Sequence, residues 1–454
     1  MKKTFVGILA ALATLVSCSS DETKEIVKPN ARQLAWADAE IGVLIDFDVQ
    51  VYHPEYNFRD WGTHPDASTF APTELSTDQW IETAHKLGAK YAILVAKHCS
   101  GFSLWPTEAH DYSVKQSPWK DGKGDIVADF VASCKKFGIK PGIYASTTAN
   151  GYLYVDNPGL IQKGSPVTQE EYNKIVQTQL TELWSNYGEM FDIWFDGGVL
   201  SEEKGGFDAL ALVKKLQPNS IAFQGPYGHP NLIRWVGNEE GVAPYPCWAT
   251  ADSTTNADGT LVVNGLNGRP DAPFWCPGES DFTLRWNRSF QGGWFWTEGQ
   301  DSMMFTVPEL LVKYETSVGR NTNMLLGLVV DNRGLIPDAD VHQVELLGKE
   351  IARQYGNPLK QTSGKGNELT ITFDKPTSVN RVILQENIAE GERVLKYTLK
   401  GQKNGQWVNL TTGSCIGHKH IERFDAQTLE AIKLVIEESK AKPQIKNFAV
   451  FETL

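Results

Sequence analysis

Residues 191–198 read Phe-Asp-Ile-Trp-Phe-Asp-Gly-Gly, and this stretch decides the fold class of the chain. The large apolar side chains at 191 and 193–195 are typical of a strand that is buried on both faces. Asp196 follows directly, and Gly197 and Gly198 then let the backbone turn. In (β/α) barrels the catalytic groups follow the carboxyl ends of the strands. The stretch therefore predicts either a catalytic carboxylate or an Asp that caps the next turn.

The sequence on either side repeats this order of helix, glycine, strand and polar residues. Because parallel strands that alternate with helices close into barrels, residues 30–356 are predicted to form a (β/α)8-type barrel. Its strands are expected at 41–48, 91–96, 140–145, 191–195, 220–224, 294–296 and 324–330. Its helices are expected at 77–87, 125–137, 172–187, 207–216, 307–320 and 340–355. Residues 252–277, rich in Gly, Asn, Asp and Pro, are predicted to be a long loop with a hairpin.

The pattern changes after residue 356. Seven short β-patterned runs, separated by turns, lie between Leu369 and Phe451. Such closely spaced runs are typical of antiparallel sheets. Residues 357–454 are therefore predicted to form an all-β, jelly-roll-like sandwich domain.

The amino terminus is predicted to be a targeting segment. Two lysines precede an apolar run from Phe5 to Val16, which is too short for a permanent membrane span. Leu15–Cys18 resembles a bacterial lipobox, and that resemblance implies a lipoprotein signal peptide over 1–18 with lipidation of Cys18. A plain signal peptide with an incidental cysteine is the alternative. The polar residues 19–29 are predicted to be a tether, so an exported periplasmic or cell-surface lipoprotein is expected, attached to the membrane by its lipid only.

Charge and cysteine usage narrow the class of partner. The net charge of −12 argues against a nucleic-acid partner. The cysteines after Cys18 are widely spaced and form neither a metal pattern nor a disulfide framework, and Cys247 with Cys276 is the one pairing considered. No zinc, phosphate-loop or dinucleotide pattern occurs, so neither a metal nor a cofactor is expected.

Carboxylates and aromatic residues at the predicted strand ends favour glycoside hydrolysis. This reaction needs one ionised carboxylate beside the anomeric carbon and one carboxylic acid that protonates the leaving oxygen. Aromatic faces bind the apolar side of a sugar. The sequence therefore predicts a carbohydrate substrate.

Several passages together resemble the motifs of one enzyme family. They are Trp36–Ile45, Lys97–Pro106, Gly142–Ser146, Trp194–Gly197, Arg234–Glu239, Asn323–Leu326, Arg333–Pro337 and, after the barrel, Val382–Val394. The chain resembles glycoside hydrolase family 29, the α-L-fucosidases, in the branch that has a carboxyl-terminal sandwich domain. The likeness covers nearly all of the chain after the signal peptide.

This resemblance implies a retaining, exo-acting glycosidase with Asp196 as the nucleophile and Glu239 as the general acid/base. The residue pattern agrees. Polar neighbours are expected to hold Asp196 ionised, and Trp235 is expected to shield Glu239 from water, which favours its protonated form. Glu240 is the direct rival for the acid/base role, and Glu279 is a distant one.

The sequence departs from the family at two strand ends. Asp46-Phe47-Asp48 stands where the family usually has His-Trp-Gly or His-Phe-Gly, and His98-Cys99-Ser100 stands where it has His-His-Asp. Some residues expected to hold the sugar hydroxyls are thus replaced. The candidate sugar contacts are Asp46, Asp48, Trp61, His98, Cys99, Tyr144, Trp235, Glu279, Arg285 and Trp294.

These departures leave the sugar open. L-Fucose is 6-deoxy-L-galactose, and its methyl group suits an apolar pocket, whereas an added carboxylate can bind a 6-hydroxyl. L-Galactose is therefore the rival substrate. A non-catalytic carbohydrate-binding surface lipoprotein with a degenerate barrel site is the alternative function, and the presence of both Asp196 and Glu239 argues against it.

Overall fold

The computed structural model describes residues 25–256 and 259–453. Eight parallel strands form a closed barrel in chain order, with the last strand paired to the first. We number them barrel strands 1 to 8: Ile41–Asp46, Tyr91–Lys97, Lys140–Ala145, Asp192–Trp194, Ile221–Phe223, Leu232–Trp235, Gly278–Thr283 and Thr322–Val329. The predicted barrel is confirmed.

Helices cover the outside of most of the barrel. Those of the described barrel residues are Ala31–Ala37, Thr77–Leu87, Ile126–Phe137, Gln169–Ser185, Ala209–Leu216, Val307–Ser317 and Asp338–Tyr355. In this part of the chain no α-helix follows strand 5 or strand 6. A three-stranded antiparallel sheet of Thr250–Thr255, Leu261–Asn264 and Phe274–Trp275 lies between strands 6 and 7 instead. Its first two strands form the hairpin that was predicted for the long loop.

Local signals set the helix ends. The helix Thr77–Leu87 begins after Ser76, whose hydroxyl accepts a hydrogen bond from the Gln79 amide at 3.3 Å. It ends at Gly88, which has a left-handed φ of 90°. The next helix repeats this arrangement with Asp125 before it and Gly138 after it. These short connections return the chain to the barrel, so each strand starts at the same end.

The prediction of a barrel strand at 294–296 is wrong. Strand 7 is Gly278–Thr283, and Trp294 instead follows a short 3-10 turn in the loop after that strand. Strand 7 contains Glu279, Ser280 and Asp281, all buried. Sequence patterns favour apolar residues in a buried barrel strand, so a strand with inward-facing carboxyl groups was not recognised.

The carboxyl-terminal domain is a six-stranded antiparallel sheet with its own apolar core. Its strands are Lys360–Lys365, Glu368–Glu386, Val394–Lys403, Gln406–Gly413, His420–Ser439 and Gln444–Phe451. Two of them are long and contain register shifts, which bend a strand and increase its twist. The antiparallel all-β class is confirmed. The number of strands differs from the prediction, because each of the two long strands joins two of the seven predicted runs.

Buried polar contacts join the two domains. Glu392 of the sandwich domain accepts hydrogen bonds from the Ala249 amide at 3.0 Å and from Asn321 Nδ2. Near this junction, Lys28 pairs with Glu390 at 2.9 Å, so the described end of the predicted tether contacts the sandwich domain. The predicted signal peptide and Cys18, its predicted lipidation site, lie outside the described residues. Within those residues, no helix combines the length and the apolar character needed to cross a bilayer.

Candidate active site

A cavity of about 320 Å³ opens at the carboxyl end of the barrel strands. Asp196 and Glu239 both line it. Of the other candidate residues, Asp46, His98, Tyr144, Trp235 and Trp294 line it as well. The cavity has the size of a small-molecule site at the lower end of the usual range.

Asp196 stands just beyond strand 4, held by two neighbours. The hydroxyl of Tyr144, near the end of strand 3, donates a hydrogen bond to Asp196 Oδ2 at 3.0 Å. The hydroxyl of Thr148 donates to the backbone carbonyl of Asp196 at 3.1 Å. The chain then turns through Gly197 and Gly198, whose φ values of 73° and 81° suit glycine. The turn leaves the carboxylate at the edge of the cavity.

Burial raises the pKa of Asp196, the hydrogen bond from Tyr144 lowers it, and the charge of Glu239 raises it again. The net direction is upward. The expectation that polar neighbours hold Asp196 ionised therefore rests on one donor, the Tyr144 hydroxyl, which opposes two effects that raise the pKa.

Glu239 lies on the loop after strand 6, in strained backbone. Gly237, Asn238 and Glu239 have consecutive positive φ values of 104°, 52° and 60°. Left-handed backbone in residues other than glycine costs about 1–3 kcal/mol each and concentrates at functional sites. The side chain is exposed at the cavity rim and accepts a hydrogen bond from Trp294 Nε1 at 3.1 Å. The expected shielding by Trp235 is thus wrong, and Glu240, the rival, does not line the cavity.

Asp46, the last residue of strand 1, is buried in the cavity wall. Burial and the charges of Asp196 and Glu239 raise its pKa well above the usual value. Among the described residues its Oδ2 atom has no hydrogen-bond partner. The surroundings of Asp46 therefore favour its protonated form, and this buried Oδ2 atom lies in the wall of the cavity that Asp196 and Glu239 also line.

His98 lies near Asp46 at the same end of the barrel. Its ring stacks on Tyr144 with centroids 5.9 Å apart and meets Phe295 edge-on at 4.9 Å. Burial and the charge of Lys97 lower the pKa of His98 to about 4, so the imidazole is neutral at neutral pH. Its buried Nδ1 lacks a hydrogen-bond partner among the described residues.

Asp281 is a further cavity carboxyl that sequence reasoning missed. It lies on strand 7, two residues after Glu279, so the two side chains share the inner face of the barrel. Its Oδ1 accepts a hydrogen bond from Trp235 Nε1 at 2.6 Å, which fixes the indole at the cavity wall. Burial raises the pKa of Asp281 to about 8. The spacing of Glu279 and Asp281, two residues apart, was the sequence signal for a strand that turns both carboxyl groups to one face.

Glu279 does not line the cavity, contrary to prediction. Its side chain is buried in the barrel interior, where Oε1 accepts from Trp194 Nε1 at 2.8 Å and Oε2 accepts from the Tyr91 hydroxyl at 2.6 Å. Burial raises the pKa of Glu279 to about 7. Trp194 does line the cavity, so the contact of Glu279 with the cavity is indirect and runs through its hydrogen bond to this tryptophan.

Asp48 and Ser100 bond to each other rather than face the cavity. The Ser100 hydroxyl donates to Asp48 Oδ2 at 2.7 Å, while Asp48 Oδ1 accepts from the Gln50 amide and caps a short 3-10 helix. The prediction of a sugar contact for Asp48 is therefore a misreading of a turn-capping residue.

Three more predicted contacts lie outside the cavity lining. Cys99 has its sulfur 4.0 Å from His98 Nε2. Trp61 packs on Tyr154 with ring centroids 6.0 Å apart. Arg285 is buried in an ion pair with Asp340, at 2.7 Å, and donates to Asp301. Arg285 is thus committed to these carboxylates, whereas Cys99 lies beside His98, which does line the cavity.

Cys247 and Cys276 are free thiols, so the pairing considered for them is not formed. The guanidinium of Arg234 lies beside both, within 3.8 Å of Cys247 Sγ and bonded to the Cys276 carbonyl. Within the described residues no cluster of His, Cys, Asp and Glu side chains could hold a metal ion. The cavity lining that the sequence did not indicate consists of Leu44, Trp194, Gly197, Phe223, Gln224, Asp281, Gln291 and Phe295.

Comparison with known proteins decides the family. The family model described as Alpha-L-fucosidase matches residues 28–355. The chain belongs to the α-L-fucosidase family. Alpha-L-fucosidase 1 of Arabidopsis thaliana is 30% identical over 93% of the chain and 87% of its own length.

Solved structures of this family share the whole architecture. A proposed α-L-fucosidase from Bacteroides thetaiotaomicron is 35% identical, with a TM-score of 0.88 over 95% of this chain and 100% of that one. A glycoside hydrolase 29 family member from a rumen bacterium is 27% identical, with a TM-score of 0.80 over 94% of this chain and 78% of that one. The protein is accordingly a glycoside hydrolase.

Proposed function

We propose that the chain is a retaining, exo-acting hydrolase that releases a terminal α-linked sugar of L-fuco configuration. The observation that carries this proposal is that Asp196 and Glu239 line one small cavity at the catalytic end of the barrel. The relatives named as α-L-fucosidases support the sugar class. The presence of both carboxylates argues against a non-catalytic sugar-binding lipoprotein.

Both steps of the reaction are assigned to these two residues. The Asp196 carboxylate attacks the anomeric carbon while the bond to the glycosidic oxygen breaks, and Glu239 gives that oxygen its proton. Glu239 then takes a proton from water, whose oxygen attacks the same carbon and releases Asp196. The Tyr144 hydroxyl orients the attacking carboxylate through its 3.0 Å hydrogen bond.

A pair of variants tests these roles. Asp196→Ala is expected to abolish turnover of aryl and alkyl glycosides alike. Glu239→Gln is expected to lower kcat by roughly 10²–10⁴ on a methyl glycoside, whose leaving group needs the acid, and by less on a nitrophenyl glycoside. Azide should rescue Glu239→Ala, because it attacks the glycosyl-enzyme in place of water and gives the α-glycosyl azide with the configuration retained. Proton NMR that detects the β-anomer as the first hydrolysis product would contradict retention.

The sugar itself is proposed to be L-fucose or L-galactose, and Asp46 is the residue that distinguishes them. Its buried Oδ2 lacks a partner among the described residues and could bind a 6-hydroxyl. A buried polar group that is left without a hydrogen-bond partner costs about 1–3 kcal/mol. A sugar that supplies a 6-hydroxyl to Asp46 would therefore bind better than one that lacks it. Asp48 and Ser100 no longer support the L-galactose alternative, because they bond to each other.

The ratio of kcat/KM for matched nitrophenyl α-L-galactoside and α-L-fucoside measures this preference. If Asp46 binds the 6-hydroxyl, the wild type should favour the galactoside, and Asp46→His, which introduces the residue usual in the family, should shift the ratio toward the fucoside. A wild type that favours the fucoside would remove the L-galactose alternative. A galactoside preference that survives Asp46→His would keep the substrate and exclude Asp46 as its cause.

We propose further that the protein is exported and anchored by a lipid on Cys18. The supporting pattern is the pair of lysines, the short apolar run and the lipobox-like Leu15–Cys18. Cys18→Ser should move the protein from the membrane fraction to the soluble fraction. Wild-type protein that is soluble, with no lipid detected by mass spectrometry, would contradict the proposal.

A further inference from the structure

The barrel has a basic surface at the end opposite the catalytic cavity. At this end the connections lead into the strands, and they carry exposed lysines: Lys90, Lys135, Lys140, Lys214 and Lys215. Among the described residues none of these lysines has an ion-pair partner. We call the surface formed by these lysines and Arg32 the amino face, because it lies at the amino ends of strands 2 to 5.

Helix ends explain only part of this pattern. Lys135, Lys214 and Lys215 lie in the last turns of helices, where a positive charge stabilises the helix dipole. Lys90 and Lys140 instead stand at the beginnings of neighbouring strands, and the Lys140 amide donates a hydrogen bond to the Lys90 carbonyl at 3.0 Å. Their side chains extend from adjacent backbone, and like charges repel. An external anion would relieve this repulsion.

The carboxylates of the neighbouring connections are already paired. Glu189 pairs with Arg32 at 3.4 Å, and Asp38 pairs with Lys446 at 3.2 Å. Glu40, at the same end of the barrel, pairs with a lysine of the sandwich domain. The positive charge of the amino face is therefore uncompensated, although the chain as a whole has a net charge of −12.

A pocket of about 250 Å³ lies within the amino face. Arg32 and Lys140 line it, and Phe191 and Ile221 supply apolar surface. The Nζ atom of Lys140 lies 4.2 Å from the centre of the Phe191 ring, so a cation–π contact holds this ammonium at the pocket. Arginine and lysine side chains are the usual partners of phosphate groups in proteins. The pocket therefore suits the phosphate of a lipid headgroup.

The amino end of the described chain runs along the same end of the barrel. Asn30 Nδ2 donates to the carbonyl of Pro230, just before strand 6, at 3.1 Å, and the helix that follows carries Arg32. Cys18 precedes Glu25, the first described residue, by seven residues, and a chain of that length reaches about 25 Å at most. A lipid on Cys18 would therefore hold the amino face toward the bilayer.

We propose that the amino face docks on the anionic headgroups of a membrane, so that the catalytic cavity opens away from the bilayer. A basic patch strengthens the attachment that a lipid provides, because an anionic surface attracts each nearby lysine. At the catalytic end the charge is mixed, since Lys204 follows the exposed Glu202 and Glu203. The orientation rests on the proposed lipid anchor, whereas headgroup binding by the amino face does not.

Vesicle sedimentation tests headgroup binding apart from the lipid. The protein used spans residues 19–454, which lack Cys18 and the apolar run of the predicted signal peptide but contain every element that the structure describes. It should bind phosphatidylcholine vesicles that contain phosphatidylglycerol, and it should not bind vesicles of phosphatidylcholine alone. Binding should disappear at about 1 M salt, where the screening length falls to about 3 Å.

Two triple variants with the same change of charge assign the binding to one surface. Replacement of three amino-face lysines should weaken vesicle binding by on the order of tenfold or more: Lys90→Glu, Lys140→Glu and Lys215→Glu. The matched control replaces exposed lysines on the loops after strands 2, 3 and 4, and should bind nearly as tightly as the wild type: Lys123→Glu, Lys163→Glu and Lys204→Glu. If the amino-face variant does not fold, glutamine at the same three positions should weaken binding in the same direction.

Equal losses in the two triple variants, or no binding of the wild type to the anionic vesicles, would overturn the proposal. Binding of DNA or of a sulfated polysaccharide without vesicle binding would show a different anionic partner and overturn it as well. Vesicle-bound enzyme should hydrolyse a nitrophenyl glycoside as fast as free enzyme, and suppression by the vesicles would contradict the outward-facing cavity. Failure to hydrolyse any glycoside would count against the proposed function alone, because sedimentation needs no substrate.

Discussion

Glu279 is buried in the barrel interior below the cavity and contacts the cavity lining through hydrogen bonds. Its two oxygens accept hydrogen bonds from Trp194 and Tyr91, and only Trp194 borders the cavity. Trp194 also stacks on Phe223 with centroids 4.0 Å apart and planes 4° from parallel. We infer that Glu279 is a positioning residue, which holds the orientation of Trp194 in the cavity wall.

The first prediction concerns this residue. Glu279→Leu leaves the Trp194 and Tyr91 donors buried without an acceptor, at about 1–3 kcal/mol each, so the melting temperature should fall and KM should rise. Glu279→Gln keeps an acceptor oxygen and should restore most of the loss in KM. Steady-state kinetics with thermal unfolding measures both. A glutamine variant as impaired in KM as the leucine variant would contradict this positioning role.

At the scale of elements, strand 7 differs from its neighbours because it buries carboxyl groups in the barrel. Burial raises the pKa of Asp281 to about 8 and that of Glu279 to about 7. A buried carboxyl with a raised pKa keeps its proton in the folded state when the unfolded chain has already released it. Stability from such a group is full below the unfolded pKa near 4 and is lost as the pH rises through the folded pKa.

The second prediction follows from that sign. The free energy of unfolding should decrease between pH 5 and pH 8, and Asp281→Asn should reduce the decrease, since the amide keeps an acceptor for Trp235 but does not titrate. Denaturant unfolding at the two pH values measures this. Asp374→Asn, on a fully exposed side chain, is the control and should match the wild type. An Asp281→Asn protein with the wild-type pH dependence would contradict the assignment.

At the scale of the whole molecule, the sandwich domain is joined to the barrel through a buried carboxylate. Glu392 accepts hydrogen bonds from the Ala249 amide and from the side chain of Asn321, the residue before barrel strand 8. The Cys415 thiol donates to the Cys247 carbonyl at 3.2 Å. The Tyr245 hydroxyl adds a contact to the Cys415 carbonyl. We expect these bonds to couple the unfolding of the two domains.

The third prediction tests this coupling. Wild-type protein should unfold in one calorimetric transition. Glu392→Ala leaves buried donors unpaired, at about 1–3 kcal/mol each, and should lower the melting temperature or divide the transition in two. Glu390→Ala, which removes only an exposed surface ion pair, is the neighbouring control and should leave the transition unchanged. Two separate transitions in the wild type would show that the domains unfold independently.

The sequence by itself determined the barrel, the sandwich class and the family. Regular spacing of apolar residues, caps and glycines sets helices such as Thr77–Leu87 locally, and those signals lie within a few residues of each element. The position of Asp196 after an apolar strand was also readable, because strand ends and their turns are local features.

Only the tertiary structure decided which polar residues share the cavity. Asp46 and Asp48 are two residues apart, yet one lines the cavity with Asp196 and Glu239 while the other caps a turn. Asp281 lines the cavity and Glu279 lies below it, because strand 7 pairs with strands 6 and 8 and turns both side chains into the barrel. These outcomes rest on contacts between residues far apart in sequence, and a local pattern of residue types carries no record of those contacts.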